Sequence, residues 1–412
     1  MEQASRTHRR SLLPVFITYF LDNFGLAIIY PIFTPLLLNP RHPILEASAT
    51  FVERTILLGL LIGSFPLAQF FGAPLIGQFS DKFGRKKAFY ITILGTALGY
   101  TLTAISIIEN VLPLLFASRF MTGLFAGNLT ICLASIADMS PDQHARTKNF
   151  GLIAAIGGMS FIIAILLGGI LSNPQFSSHF NPSLPFWITA SLSYINFALM
   201  IILFKETHPT RVSLGLNPFR GVQNLSLALR SPYLRILYLI NFFFMLSWVT
   251  SMQFFPTTLI KFFQFSSNQI TLSLMGVGLT WTIANLLINR HLSKRVYPAK
   301  TLLVCLFLQT ACLLFLSITS NSVLFFCLFY PASIVASLCW TNGIAIVSIK
   351  ASSEMQGSIL GINQSMSSIA AMAGPSLGGI IAGFGDRFLF IFTGICSLIA
   401  FSLLYRNKLY KP

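Results

Sequence analysis

The residues best placed to do chemistry in this chain are two lone charges within apolar sequence, Asp22 and Arg119, and a knot of charges in the stretch GQFSDKFGRKKA at 77–88. Asp22 follows an apolar run that starts near Leu12. If that run is a membrane helix, a rise of about 1.5 Å per residue puts the carboxylate roughly 15 Å deep, close to the bilayer middle. Hydrocarbon opposes ionisation of a carboxyl group unless a cation stands near, so Asp22 can take up and release a proton. Arg119 opens the string RFMTGLFAGN. Entering from the opposite side near Val111, it lies about 12 Å down, and its long side chain can reach the level of Asp22 if the two helices are neighbours. A pair of this kind would let a proton or a cationic substrate compete with the guanidinium for the carboxylate. The plainer alternative is a static ion pair that holds two helices together.

In the 77–88 stretch, Asp81 and Arg85 are separated by Lys82, Phe83 and Gly84. Gly84 supplies the positive φ that a tight turn after a helix often requires. Asp138 closes SIADMSPD at the same membrane face, so Gly77, Asp81, Gly84, Arg85, Lys86 and Asp138 form a candidate gate. Lys86 and Lys87 also fit a purely topological role, which leaves Asp81 unexplained. Polar and tryptophan side chains inside apolar runs give weaker candidates for a substrate cavity: Asn23, Gln69, Asn128, Trp248, Gln253, Trp340, Asn342, Asn363 and Gln364. Any of these suits helix–helix hydrogen bonding equally well.

No enzyme site is legible. The chain has no Walker A, GxSxG or HExxH string, and its six histidines make no ligand spacing. All six cysteines fall in apolar runs without a CxxC pair, so they read as small apolar side chains. We therefore expect no metal and no cofactor, with a proton gradient as the energy source.

These residues need a scaffold that spans a membrane. With 54% hydrophobic and only 9% charged residues, 412 residues carry too little polar surface for a soluble globule. Twelve apolar segments of spanning length are predicted, near 12–37, 55–79, 87–108, 111–138, 148–172, 185–204, 234–260, 268–289, 300–319, 322–349, 356–384 and 387–405. The first is too long for a signal peptide and reads as a retained helix. Twelve spans put both termini on one side. Of the 27 Lys and Arg residues, 22 fall in the termini and even-numbered loops, so that side is expected to be cytoplasmic. The same asymmetry accounts for the net charge of +16 without any nucleic-acid partner.

The longest polar interruption separates six spans from six. It gives an N-terminal bundle over 1–204, a cytoplasmic linker over 205–233 and a C-terminal bundle over 234–412. Gly151, Gly168 and Gly169 recur as Gly361, Gly378 and Gly379 at one offset, which reads as an internal repeat with its substrate site at the midplane.

The motifs resemble those of the major facilitator superfamily, closest to the drug:proton antiporters of the tetracycline-exporter type, most strongly over 15–172. LDNFGLAIIYPIFTPLL resembles that group's first helix, AQFFGAPLIGQFSDKFGRKKA its second helix and signature loop, and RFMTGLFAGN with SIAD its fourth helix. The resemblance implies an all-α membrane fold of two pseudo-symmetric six-helix bundles. It also implies proton-coupling roles for Asp22 and Arg119, a gate at Gly77, Asp81, Gly84, Arg85 and Asp138, and an approach of Asp81 to the start of the eleventh helix near 356–358. Two departures stand out. The group's fifth-helix GPxxGG reads Ala164-Ile165-Leu166-Leu167-Gly168-Gly169 here, while GPSLGG stands in the eleventh span. Gly99 replaces the acid that tetracycline exporters carry before a third-helix tyrosine, which argues against tetracycline itself.

The expectation is a non-enzymatic secondary transporter that expels a small amphipathic compound by alternating access. It would act as a monomer in contact with substrate and lipid, in a bacterial inner membrane. An importer of a metabolite or siderophore and a non-transporting polytopic sensor are the alternatives.

Overall fold

The computed structural model describes residues 2–139, 143–207, 232–293, 295–349 and 356–408, with single positions in the 208–231 stretch. Among these residues every regular element is helical. Ten helical stretches are long and apolar enough to cross a membrane, and two shorter apolar helices, Leu112–Phe125 and Ile156–Leu171, stand at the fourth and fifth predicted spans. The protein is a multi-pass integral membrane protein.

Two spans are interrupted. The first consists of α1 (Glu2–Ala27) and α2 (Ile29–Leu38). Pro31 has no N–H to give the Ala27 carbonyl, so the helical ladder opens beside Ile28. The fourth consists of α5 (Leu112–Phe125) and α6 (Asn128–Met139), with Ala126 in a non-helical conformation between them. The Ala126 carbonyl, released from the ladder, accepts the Gln69 amide at 2.8 Å. Membrane interiors tolerate such breaks only where side chains satisfy the freed groups.

Between these lie α3 (Phe51–Phe83) and α4 (Arg85–Ile108), and after them α7 (Gln143–Leu171) and α8 (Leu184–Leu203). The later spans are α9 (Pro232–Phe263), α10 (Ser267–Ile283), α11 (Pro298–Leu316), α12 (Ser322–Ile349), α13 (Gln356–Phe384) and α14 (Asp386–Arg406). A π-helical segment, Ala284–Asn289, extends α10. It carries Asn285 and Asn289, which bond Ser337, Thr341 and Asn342 on α12.

The chain divides into two compact units: residues 1–36, 41–46 and 67–220, and residues 37–40, 47–66 and 221–412. In the first, α1 packs on α6, α7 and α8, and α4 on α5 and α8. Its core gathers Val15, Ile76, Phe89, Ile131 and Phe204. In the second, α9 packs on α12, α13 and α14. The first half of α3, up to Pro66, belongs here too. A Cβ on Gly59 would overlap the Pro375 carbonyl, and one on Gly379 would press on the Thr55 carbonyl, so the two backbones touch where glycines meet.

Candidate functional site

Asp22 lies on α1, eleven residues into the spanning stretch Ser11–Leu38. Its carboxylate Oδ1 accepts the Asn128 side-chain amide at 2.9 Å. Asn128 is the first residue of α6, so the break in the fourth span brings a helix N-terminus to the acid, where the helix dipole favours negative charge. Asn128 had been a weak cavity candidate, and its placement here makes it the partner of the spanning carboxylate.

Arg119 is fully buried on α5, and its guanidinium lies 5.7 Å from the centre of the Phe33 ring. Tyr100 on α4 stands close enough to feel the charges of both Asp22 and Arg119. The Tyr100 hydroxyl occupies the space beside Gly25 that a Cβ there would need. Tyr100 is the third-span tyrosine that follows Gly99.

A recess with room for about one water lies beside Asp22, lined by Thr18, Leu21, Asp22, Ile93, Thr96, Tyr100, Ser193 and Asn196. A second, equally small, lies in the other unit among Asn241, Phe244, Met245, Trp340, Ile344, Asn363 and Ser367. There the Asn241 amide donates to Asn363 at 2.8 Å.

The charge cluster at the end of α3 assembles as a set. Arg85 donates to Asp81 at 2.7 Å and to the Ser80 hydroxyl at 2.9 Å, and its Nε lies 3.5 Å from Asp138. Thr207 also donates to Asp138 at 3.3 Å. Gly84 has φ +100, the left-handed backbone expected of it. Glu206, which sequence reading missed, accepts the backbone N–H of Arg85 at 2.9 Å and of Lys86 at 3.1 Å. It thus caps the N-terminus of α4 with a carboxylate. Lys86 donates to the Ile201 carbonyl at 3.1 Å. Gln78 exchanges two hydrogen bonds with the Asn217 backbone, which ties the linker to α3. A Cβ on Gly77 would meet no neighbour within 4 Å.

The remaining candidates disperse. Asn23 bonds its own helix at Tyr19, and Gln69 holds the Ala126 carbonyl. Trp248 stacks on Trp281, with ring centres 5.5 Å apart. Asn342 bonds Asn289 and the Leu338 carbonyl. Gln253 is buried, and its amide nitrogen has no partner among the described residues. Trp340 and Asn363 line the second recess, and Gln364 is exposed. The described His, Cys, Asp and Glu residues form no cluster of three that could hold a metal.

The family model of the Major Facilitator Superfamily matches residues 15–329 and 237–412. The class D tetracycline resistance protein of Salmonella ordonez is 27% identical over 369 residues, spanning 87% of this chain and 86% of that one. Multidrug resistance protein 1 of Bacillus subtilis is 24% identical over 412 residues, spanning 98% and 96%. Among solved structures, the human organic anion transporter MFSD10 superimposes with a TM-score of 0.71 at 22% identity, covering 96% of this chain and 99% of its own. A bounded polar site inside helical bundles, the signature-loop charge cluster and these matches agree: the chain is a transporter that belongs to the major facilitator superfamily and is similar to the tetracycline resistance proteins.

Proposed function

We propose that this protein is a proton-coupled exporter of a small amphipathic compound, with Asp22 as the proton-carrying group. The observation that carries this reading is α6. Its first residue, Asn128, donates to Asp22, and Asp138 near its other end meets Arg85, so one twelve-residue helix touches both the spanning acid and the charge cluster. A hydrogen bond to an ionised carboxylate is about twice as strong as one to a neutral acceptor. Protonation of Asp22 therefore loosens the grip on Asn128, and a rigid helix carries the displacement to Asp138. There it alters the contact with Arg85, the first residue of α4, which also pairs with Asp81 on α3. Substrate would compete for the charged form of Asp22, which couples release of a proton to uptake of a cationic or amphipathic compound. Export is supported by similarity to proteins whose names record tetracycline and multidrug resistance.

The test is transport of a fluorescent amphiphile such as ethidium into proteoliposomes, driven by a pH gradient, by wild type and Asp22→Asn. The gradient-driven component should vanish in the variant. Gradient-driven transport that persists undiminished in Asp22→Asn removes Asp22 from the mechanism.

A further inference from the structure

The chain has four tryptophans, and three of them, Trp248 on α9, Trp281 on α10 and Trp340 on α12, meet in one run of rings within the second unit. Trp248 stacks on Trp281 with ring centres 5.5 Å apart and planes at 25°, and Trp281 meets Trp340 at 6.4 Å. Phe329 extends the run, 6.0 Å from Trp248 and 4.2 Å from Phe255. Tryptophans of membrane proteins gather at the two membrane–water interfaces, where the indole N–H reaches water. These three do not. Each lies within about 10 Å of the midpoint of its span, inside a hydrocarbon layer about 30 Å thick, so interfacial anchoring does not account for them.

One end of the run is closed and the other open. Trp248 is 7% exposed and Phe255 and Phe329 are fully buried, whereas Trp340 is 44% exposed. Trp340 and Ile344 stand beside the side chains of Asn241 and Asn363, and helix faces that carry such amides turn away from lipid. The two helices that carry Trp281 and Trp340 are pinned to each other. The Trp281 carbonyl accepts the Ser337 hydroxyl at 3.2 Å and the Asn285 amide at 3.3 Å, and Asn285 also donates to Ser337 at 2.9 Å and accepts from Thr341 at 2.6 Å. Asn285 lies in the π-helical segment, a distortion frequent at functional sites. Rings held in place this way have little freedom left to lose when a ligand binds.

No aspartate or glutamate occurs in 207–353, and the basic residues of α9 to α12, Arg235, Lys261, Arg290 and Lys300, stand toward the ends of their spans. The middle of these spans therefore offers electron-rich indole faces in place of formal charge. Such faces attract cations and stack on flat rings, and tryptophan does both best. We infer that Trp248, Trp281 and Trp340 form a stacking subsite for the planar aromatic, cationic part of the substrate. This deepens the reading above, and it rests on that reading only in taking the protein for a transporter of amphipathic compounds.

The experiment uses the full chain purified in detergent and measures binding of ethidium and of tetrabutylammonium, a cation without rings, by isothermal titration calorimetry. Wild type should bind ethidium at least tenfold more tightly. Trp340→Leu should weaken ethidium binding about five- to tenfold and leave tetrabutylammonium within about twofold, while Trp340→Phe, which keeps a ring, should lose less. In Trp187→Phe the three stacked tryptophans are the only ones left, and ethidium should quench their emission. Wild type that shows no preference for ethidium overturns the inference. So does Trp340→Leu that melts like wild type and binds ethidium as tightly, or that loses both ligands equally. The two readings fail separately. Gradient-driven transport lost in Asp22→Asn with ethidium binding unchanged in Trp340→Leu leaves a proton-coupled exporter without the subsite, whereas a planar preference lost in Trp340→Leu with coupling intact in Asp22→Asn leaves the subsite and removes the proton role of Asp22.

Discussion

Gly84 holds φ at +100, and the space a Cβ would take beside it is filled by the Glu206 carboxylate. Both constraints act on one atom. A non-glycine residue in that backbone region costs about 1–3 kcal/mol, and here it must also displace the cap on α4. Gly84→Ala should therefore lower the melting temperature of the purified protein by several degrees and weaken transport. Glu206→Gln keeps an acceptor and loses only its charge against the helix dipole, worth about 0.3–1 kcal/mol at an exposed terminus. Its effect should be smaller, and Gly84→Ala as stable as wild type by tryptophan fluorescence would refute the steric account. At this scale, Asp81, Gly84, Arg85 and Asp138 were legible because charges in apolar sequence have few bland explanations. Glu206 was not, since about 120 residues of chain separate it from the N–H groups it caps. The role of Asn128 was hidden for a related reason: its contact with Asp22 depends on a break that leaves the apolar pattern of RFMTGLFAGN undisturbed.

The spans themselves follow from apolar length, and each of the twelve predicted segments coincides with one helix or one interrupted pair. What apolar length does not encode is where helices part or touch, because a backbone contact needs only small residues on two distant stretches. Gly59 and Gly63 on α3 meet Pro375, Ser376 and Gly379 on α13 in this way, within the second unit. Filling such a contact forces the backbones apart, at a cost of about 1–3 kcal/mol for overpacking. Gly59→Leu and Gly379→Leu should each reduce the melting temperature, and together should cost less than their sum because the first already opens the contact. Gly77→Ala is the internal comparison, since a Cβ there meets nothing and alanine is the better helix former. If Gly59→Leu proves no less stable than Gly77→Ala, close approach of α3 and α13 is not what the glycines provide.

Across the whole molecule, charge is distributed with a bias that no local contact explains. No aspartate or glutamate occurs in 207–353, so the spans of α9 to α12 carry polar chemistry through amides, hydroxyls and tryptophans alone. The spanning acid and the charge cluster both belong to the first half. The basic residues follow a different rule, concentrating in the termini and even-numbered loops, where a positive charge resists translocation during insertion. If that rule holds here, the cluster of Asp81, Arg85 and Asp138 faces the cytoplasm, because α3 ends on the side from which α1 starts. A green fluorescent protein fused after residue 412 should then fluoresce, since it folds in the cytoplasm. Alkaline phosphatase inserted at 178, in the loop between α7 and α8, should be active, since it requires the oxidising side. The reverse pair of results would turn the cluster outward, and the proton released from Asp22 during the proposed cycle would then have to leave toward the opposite compartment.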